Sequence, residues 1–141
     1  MRALVVDDDD AFRTLVSVLL RDLADIVEQA ADGETALQLA RDLRPDLIVM
    51  DITMPRMDGI ATARAILKDQ PSARIVFLSG TETDTKLAEA SAYGVVVKKT
   101  VTDLGKELRT ASTWASASSP RGRIGSSRDD SGGAPSGIRA R

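Results

Sequence analysis

The chain has 141 residues, room for one domain and a tail, with 43% apolar but only 3% aromatic residues, so a core must come from Leu, Val, Ile and Ala. The absence of Cys and His excludes disulfides, thiolate metal sites, a Ser-His-Asp triad and a phosphohistidine within this chain, and suits a reducing, cytoplasmic setting. The net charge of −2 divides into −5 over residues 1–115 (14 Lys/Arg, 19 Asp/Glu) and +3 over residues 116–141 (five Arg, two Asp), so the part expected to fold lacks the basic footprint of a general nucleic-acid binder. Met1 to Val6 is too short for a signal-peptide core, and no apolar run approaches a membrane span.

Arg2 to Val6 is a short apolar run that stops in Asp7-Asp8-Asp9-Asp10 and predicts a buried strand. Phe12, Leu15, Val16, Leu19, Leu20 and Leu23 then recur at helical spacing over Ala11 to Leu23, with Asp9 and Asp10 as helix-start acids. A strand over Ile26 to Ala31 is followed by a helix capped at Asp32 and ended by Pro45. Leu47 to Met50 has no polar alternation, the mark of a strand buried on both faces, and it stops at Asp51. Met54-Pro55 and Asp58-Gly59 force a loop, the Gly being read as a residue that tolerates positive φ. A helix over Ile60 to Asp69 follows, then a strand over Arg74 to Leu78 ending in Ser79-Gly80-Thr81. A thinly apolar helix over Thr83 to Ala92 leads to a last strand, Val95-Val96-Val97, ending in Lys98-Lys99. A final helix from Val101 to about Trp114 rests on Leu104, Leu108 and Ala111. Five βα units in this order indicate an α/β fold, a parallel sheet with helices on both faces. Beyond Ala115 the Ser, Gly, Ala, Pro and Arg composition cannot bury enough surface to order itself, so residues 116–141 are expected to be a disordered tail.

Four of the five strands end in a residue capable of chemistry or hydrogen bonding: Asp7, Asp51, Ser79 and Lys98. Open α/β sheets place their ligand sites at this edge. Carboxylates brought within about 4 Å of one another repel by roughly 4 kcal/mol at an effective dielectric near 20, so a cluster of them implies a cation, and oxygen ligands suit Mg²⁺ or Ca²⁺.

These marks resemble the receiver domain of bacterial two-component response regulators. They are Val6-Asp7-Asp8, then Asp51 with Met54-Pro55 and Asp58-Gly59, then Leu78-Ser79-Gly80, and Gly94 with Lys98 four residues later. The resemblance covers about residues 2–112 and implies a (βα)5 doubly wound, flavodoxin-like receiver fold over residues 1–115. It implies that Asp51 is the phosphoacceptor, and that Asp7, Asp8 and Asp51 hold Mg²⁺ with the backbone carbonyl of Thr53. Ser79 would be the switch hydroxyl, Gly80 would leave the phosphoryl path open, and Lys98 would pair with the phosphoryl group. Lys99 competes with Lys98 for that last role, the count from Gly94 favouring Lys98. No catalytic role falls to Asp58. The partners implied are a sensor histidine kinase or a small phosphodonor, an unnamed downstream protein and a phosphorylation-dependent second copy, with no DNA-binding domain and no membrane. Two departures bear on the switch: Val95 stands where many receivers carry Tyr or Phe after the Gly, and Lys99-Thr100 stands where a Pro follows the Lys. Two alternatives stay open, a degenerate receiver acting as a constitutive interaction module, and a Mg²⁺-dependent phosphohydrolase of the haloacid-dehalogenase type. The latter needs a second acid two residues after its nucleophile, where this chain has Thr53.

Overall fold

The computed structural model describes residues 1–118, with side chains through Thr110. The chain divides into Met1–Leu108 and Arg109–Arg141; the first unit holds the whole sheet, and the described part of the second is the remainder of the last helix. Strands β1 (Arg2–Val6), β2 (Ile26–Ala30), β3 (Leu47–Asp51), β4 (Arg74–Ser79) and β5 (Val95–Lys98) alternate with helices α1 (Asp10–Leu20), α2 (Gly33–Leu43), α3 (Gly59–Asp69), α4 (Asp84–Ser91) and α5 (Val101–Ser118). All four pairings are parallel, in the order β2-β1-β3-β4-β5. This is the flavodoxin-like, doubly wound arrangement expected. The strand order reverses between β1 and β3, which leaves a crevice at their carboxyl ends.

The apolar runs account for the centre of the sheet. Every residue of β3 is buried, and Ala3 to Val6 of β1 and Ile75 to Leu78 of β4 are buried with it. Leu4, Val6, Ile48, Met50 and Phe77 pack in one cluster with Ala36 and Ala40 of α2 and Ile60, Ala63 and Ile66 of α3. Each fully buried side chain of this size contributes roughly 1.5–3 kcal/mol of transfer free energy. The edge strand β2 buries only Ala30, which suits its Glu28 and Gln29. From α5, Leu104 and Leu108 are buried.

The helix starts follow their caps. Asp9 accepts from the backbone N–H groups of Ala11 and Phe12, Asp32 from Thr35, Asp58 from Ile60 and Thr83 from Lys86. The ends depart from the periodicity in two places. Helix α1 stops at Leu20 rather than Leu23, and its expected stripe is only partly inside: Val16 and Leu20 are buried with Ser17, whereas Leu15 is 36% exposed. Ser17 is accommodated because its hydroxyl donates to the Arg13 carbonyl at 2.8 Å. Helix α5 runs four residues past Trp114, since Ala115 to Ser118 contain neither Gly nor Pro. Ser116 to Ser118 of the expected tail are therefore helical; the rest of that tail, and the Ala111 side chain, lie outside the described residues.

Gly59 corrects a sequence argument. No glycine among the described residues has positive φ, so turn geometry is not its reason. A Cβ on Gly59 would stand 2.0 Å from the Asp51 carbonyl oxygen, and the Gly59 N–H donates to the Ile52 carbonyl at 2.8 Å. Only a residue without a side chain lets α3 begin against the end of β3.

Candidate functional site

The ladder between β1 and β3 pairs Val6 with Met50. The next residue of each chain is an aspartate, so Asp7 and Asp51 come out side by side at the switch point. Asp7 is fully buried and Asp51 is 6% exposed. With the exposed Asp8 they offer three carboxylate oxygens within 4.8 Å of one another. Asp7 is held firmly: its backbone N–H donates to Ala30, its Oδ1 accepts from the Asp9 N–H at 2.9 Å, and the Arg13 guanidinium donates to its carbonyl at 2.7 Å. Its Oδ2 is buried with no hydrogen-bonding partner, although the Lys99 ammonium lies 2.9 Å away. That ammonium also donates to Asp7 Oδ1 at 3.1 Å, reaches Asp51 Oδ2 at 3.5 Å, and sits 5.1 Å from the centre of the Phe12 ring.

The electrostatics follow from this crowding. Burial first, then the charges of Asp7 and Asp8, push the Asp51 carboxyl up from 3.8 to about 7, against the pull of Lys99. Burial alone would lower the Lys99 ammonium, but its bond to Asp7 and the charges of Asp51 and Asp7 raise it.

The lysine beside the acids is Lys99, whereas the count from Gly94 favours Lys98. Lys98 is exposed and is the last residue of β5, paired with Ser79. Lys99, the first residue past the strand, donates its N–H to the Ser79 carbonyl at 3.0 Å and turns its side chain onto the acids. Successive side chains of a strand point to opposite faces, so only one of two adjacent lysines can reach the cluster. The count from Gly94 cannot supply that phase. Val95 is half-buried, and Tyr93 lies exposed at the surface.

The Ser79 hydroxyl donates to the Val97 carbonyl at 3.3 Å, and the cap of α4 is Thr83. Thr53 is exposed, and its hydroxyl donates to Glu82 Oε2 at 2.7 Å. The other oxygen of Glu82 accepts from the Gly80 N–H at 2.6 Å. A Cβ built on Gly80 would meet nothing within 4 Å. Asp58 caps α3 and is ion-paired with Lys86 of α4. Arg13, Glu82 and Lys86 had no signal in the sequence, because each acts across loops whose spacing fixes no geometry. Phe12 was visible only as part of an apolar stripe.

Residues 3–109 match the response regulator receiver domain, and the chain belongs to that family. It is 39% identical over 103 residues to the response regulator GacA of Pseudomonas aeruginosa, a match covering 70% of this chain and 48% of that protein. The chain therefore spans about half the length of such curated relatives. It is 45% identical over 81 residues to a protein-glutamate methylesterase/protein-glutamine glutaminase of Alkalilimnicola ehrlichii, covering 56% of this chain and 21% of that one. Among solved structures it resembles the chemotaxis protein CheY4 of Vibrio cholerae, with TM-score 0.69 and 32% identity over 78% of this chain and 97% of that one. The receiver domain of the histidine kinase CKI1 of Arabidopsis thaliana, complexed with Mg²⁺ and BeF₃⁻, matches with TM-score 0.67 and 28% identity over 79% and 89% of the two chains. Receiver domains serve two-component signalling as phosphorylation-dependent switches, and this chain has their fold and their strand-end acids.

Proposed function

We propose that the chain is a phosphorylation-controlled binding module in which Asp51 accepts a phosphoryl group from a histidine kinase or a small phosphodonor. The observation that carries this is a nearly buried Asp51 carboxylate grouped with Asp7 and Asp8, with the Lys99 ammonium at 3.5 Å. An Asp51 oxygen attacks phosphorus, and a new P–O bond forms as the P–N bond of a donor phosphohistidine breaks. The electron pair stays on the imidazole nitrogen, which takes a proton from solvent. The product is an acyl phosphate.

The residues present fit a divalent cation: three clustered carboxylates, of which Asp7 is fully buried and Asp51 nearly so. Asp7, Asp8 and Asp51 would hold Mg²⁺, with the Thr53 carbonyl as a further oxygen ligand. When bound, Mg²⁺ supplies charge neutralisation for the transferring phosphoryl oxygens. The chain's own groups do the rest. Lys99 pairs with the added charge, and Ser79 leaves the Val97 carbonyl to donate to a phosphoryl oxygen, which changes the surface around α4 and β5.

Acetyl phosphate with Mg²⁺ tests the reading. The intact protein gains about 80 Da, the mass of one phosphoryl group, and Asp51→Asn gains none. Equal labelling of the variant would remove Asp51 from the role.

A further inference from the structure

Glu82 lies in the connection between β4 and α4, and both of its carboxylate oxygens are engaged. Oε1 accepts from the Gly80 N–H at 2.6 Å, and Oε2 accepts from the Thr53 hydroxyl at 2.7 Å. Gly80 directly follows the last residue of β4, Thr53 is two residues past Asp51, and β3 and β4 are paired through Asp51 and Leu78. One carboxylate thus joins the two loops that leave the sheet edge beside Asp51. Burial opposes its charge, but the Thr53 hydroxyl and the Gly80 amide outweigh burial and hold its carboxyl below the ordinary range. Glu82 is therefore an anion at neutral pH.

A backbone N–H at a loop donates a hydrogen bond to an anion, and it discriminates poorly between a carboxylate oxygen and a phosphoryl oxygen. A Cβ built on Gly80 would meet nothing within 4 Å, so the turn is open on its side-chain face, while its N–H is held by Glu82. We propose that Glu82 is an internal anion latched across the mouth of the site, occupying the Gly80 amide until an incoming phosphoryl group displaces it. The latch has two points of attachment. Release of Oε1 frees the amide, and release of Oε2 frees the loop that carries Thr53 and follows Asp51. The resting chain is thereby held closed by its own carboxylate, and like-charge repulsion from Glu82 adds to the resistance an anionic donor meets. This deepens the phosphoacceptor reading and rests on it.

The test compares initial rates of labelling by acetyl phosphate with Mg²⁺ in wild type, Glu82→Ala and Thr53→Val, beside their melting temperatures and the amide resonance of Gly80. Glu82→Ala is expected to label about tenfold faster or more, the factor one charge-assisted hydrogen bond is worth, and to shift the Gly80 amide resonance. Thr53→Val keeps the Glu82 charge but removes one attachment, and its rate rises by a smaller factor. A merely structural tie would lower the melting temperature without raising either rate, and that result overturns the latch. Should Glu82→Ala fail to fold, Thr53→Val decides alone: a faster rate supports the latch, and an unchanged or slower one overturns it. A labelled wild type matched by both variants overturns the latch and leaves Asp51 as acceptor. A wild type that takes no label overturns both.

Discussion

At the scale of single residues, the site is a contest between like charges that one lysine moderates. Lys99→Ala should lower the rate of acetyl phosphate labelling at least tenfold, since a hydrogen bond between charged groups is worth about 1.5–3 kcal/mol. Lys98→Ala should leave it within about twofold; the reverse outcome would restore Lys98 to the role. Asp51 carries the second prediction. Its carboxyl sits at about 7 in the folded protein against 3.8 ordinarily, raised chiefly by burial. The stability associated with its protonated form is fully present below about pH 4 and is lost as pH rises towards 7. In EDTA, Asp51→Asn should therefore melt above wild type at pH 8, by a margin that shrinks towards pH 4. A variant less stable than wild type at pH 8 would mean that Asp51 is not destabilised by its neighbours. The acids Asp7, Asp8 and Asp51 were legible in the sequence because each follows an apolar run. Which of Lys98 and Lys99 joins them was not, because the pleat's phase depends on the register of β5 against β4.

Among the elements, the segment from Asp51 to Gly59 is the most constrained. It must leave β3, present Thr53 and re-enter α3 directly beneath the strand end. Asp58 caps the new helix by accepting from Ile60 at 2.7 Å, and its ion pair with Lys86 ties α3 to the first turn of α4. Both partners are partly exposed, so the pair contributes little on its own. Gly59 is the hard constraint. Gly59→Ala puts a methyl group into the Asp51 carbonyl, and it should cost about 2–3 kcal/mol as overpacking does. A loss of roughly ten degrees in melting temperature, with slower labelling of Asp51, is expected. An alanine variant as stable and as active as wild type would show that the loop yields freely. Sequence reasoning placed this loop correctly and gave Gly59 the wrong reason, because close approach of two backbones is a property of packing that local pattern does not encode.

At the scale of the molecule, the sheet was legible from its alternation of apolar strands and amphipathic helices. The helix ends were less so. Leu23 lay in phase with the α1 stripe but beyond the helix, while α5 continued through small residues that carry no periodic signal. The fold gathers three acids at one rim of a domain that already carries net negative charge over residues 1–115. Millimolar Mg²⁺ should consequently raise the melting temperature by several degrees, with linkage giving about 2.7 kcal/mol at a hundredfold excess over the dissociation constant. Asp7→Asn should abolish the gain. A transition that ignores Mg²⁺ would remove the metal from the site.

The two lysines at the end of β5 also divide the chain's reactivity toward reagents. Lys98 stands in solvent, open to an amine-directed label, whereas the Lys99 ammonium is partly buried against Asp7 and Asp51, which raise its pKa and so disfavour its reactive neutral form. Biotin esters or coupling to an activated surface at mild pH should therefore mark Lys98 and pass over its neighbour, as fragmentation of the modified peptide would reveal. Adjacent positions then differ in their use to the experimenter: one is a handle by which the protein can be held, and the other must stay untouched if it is to respond.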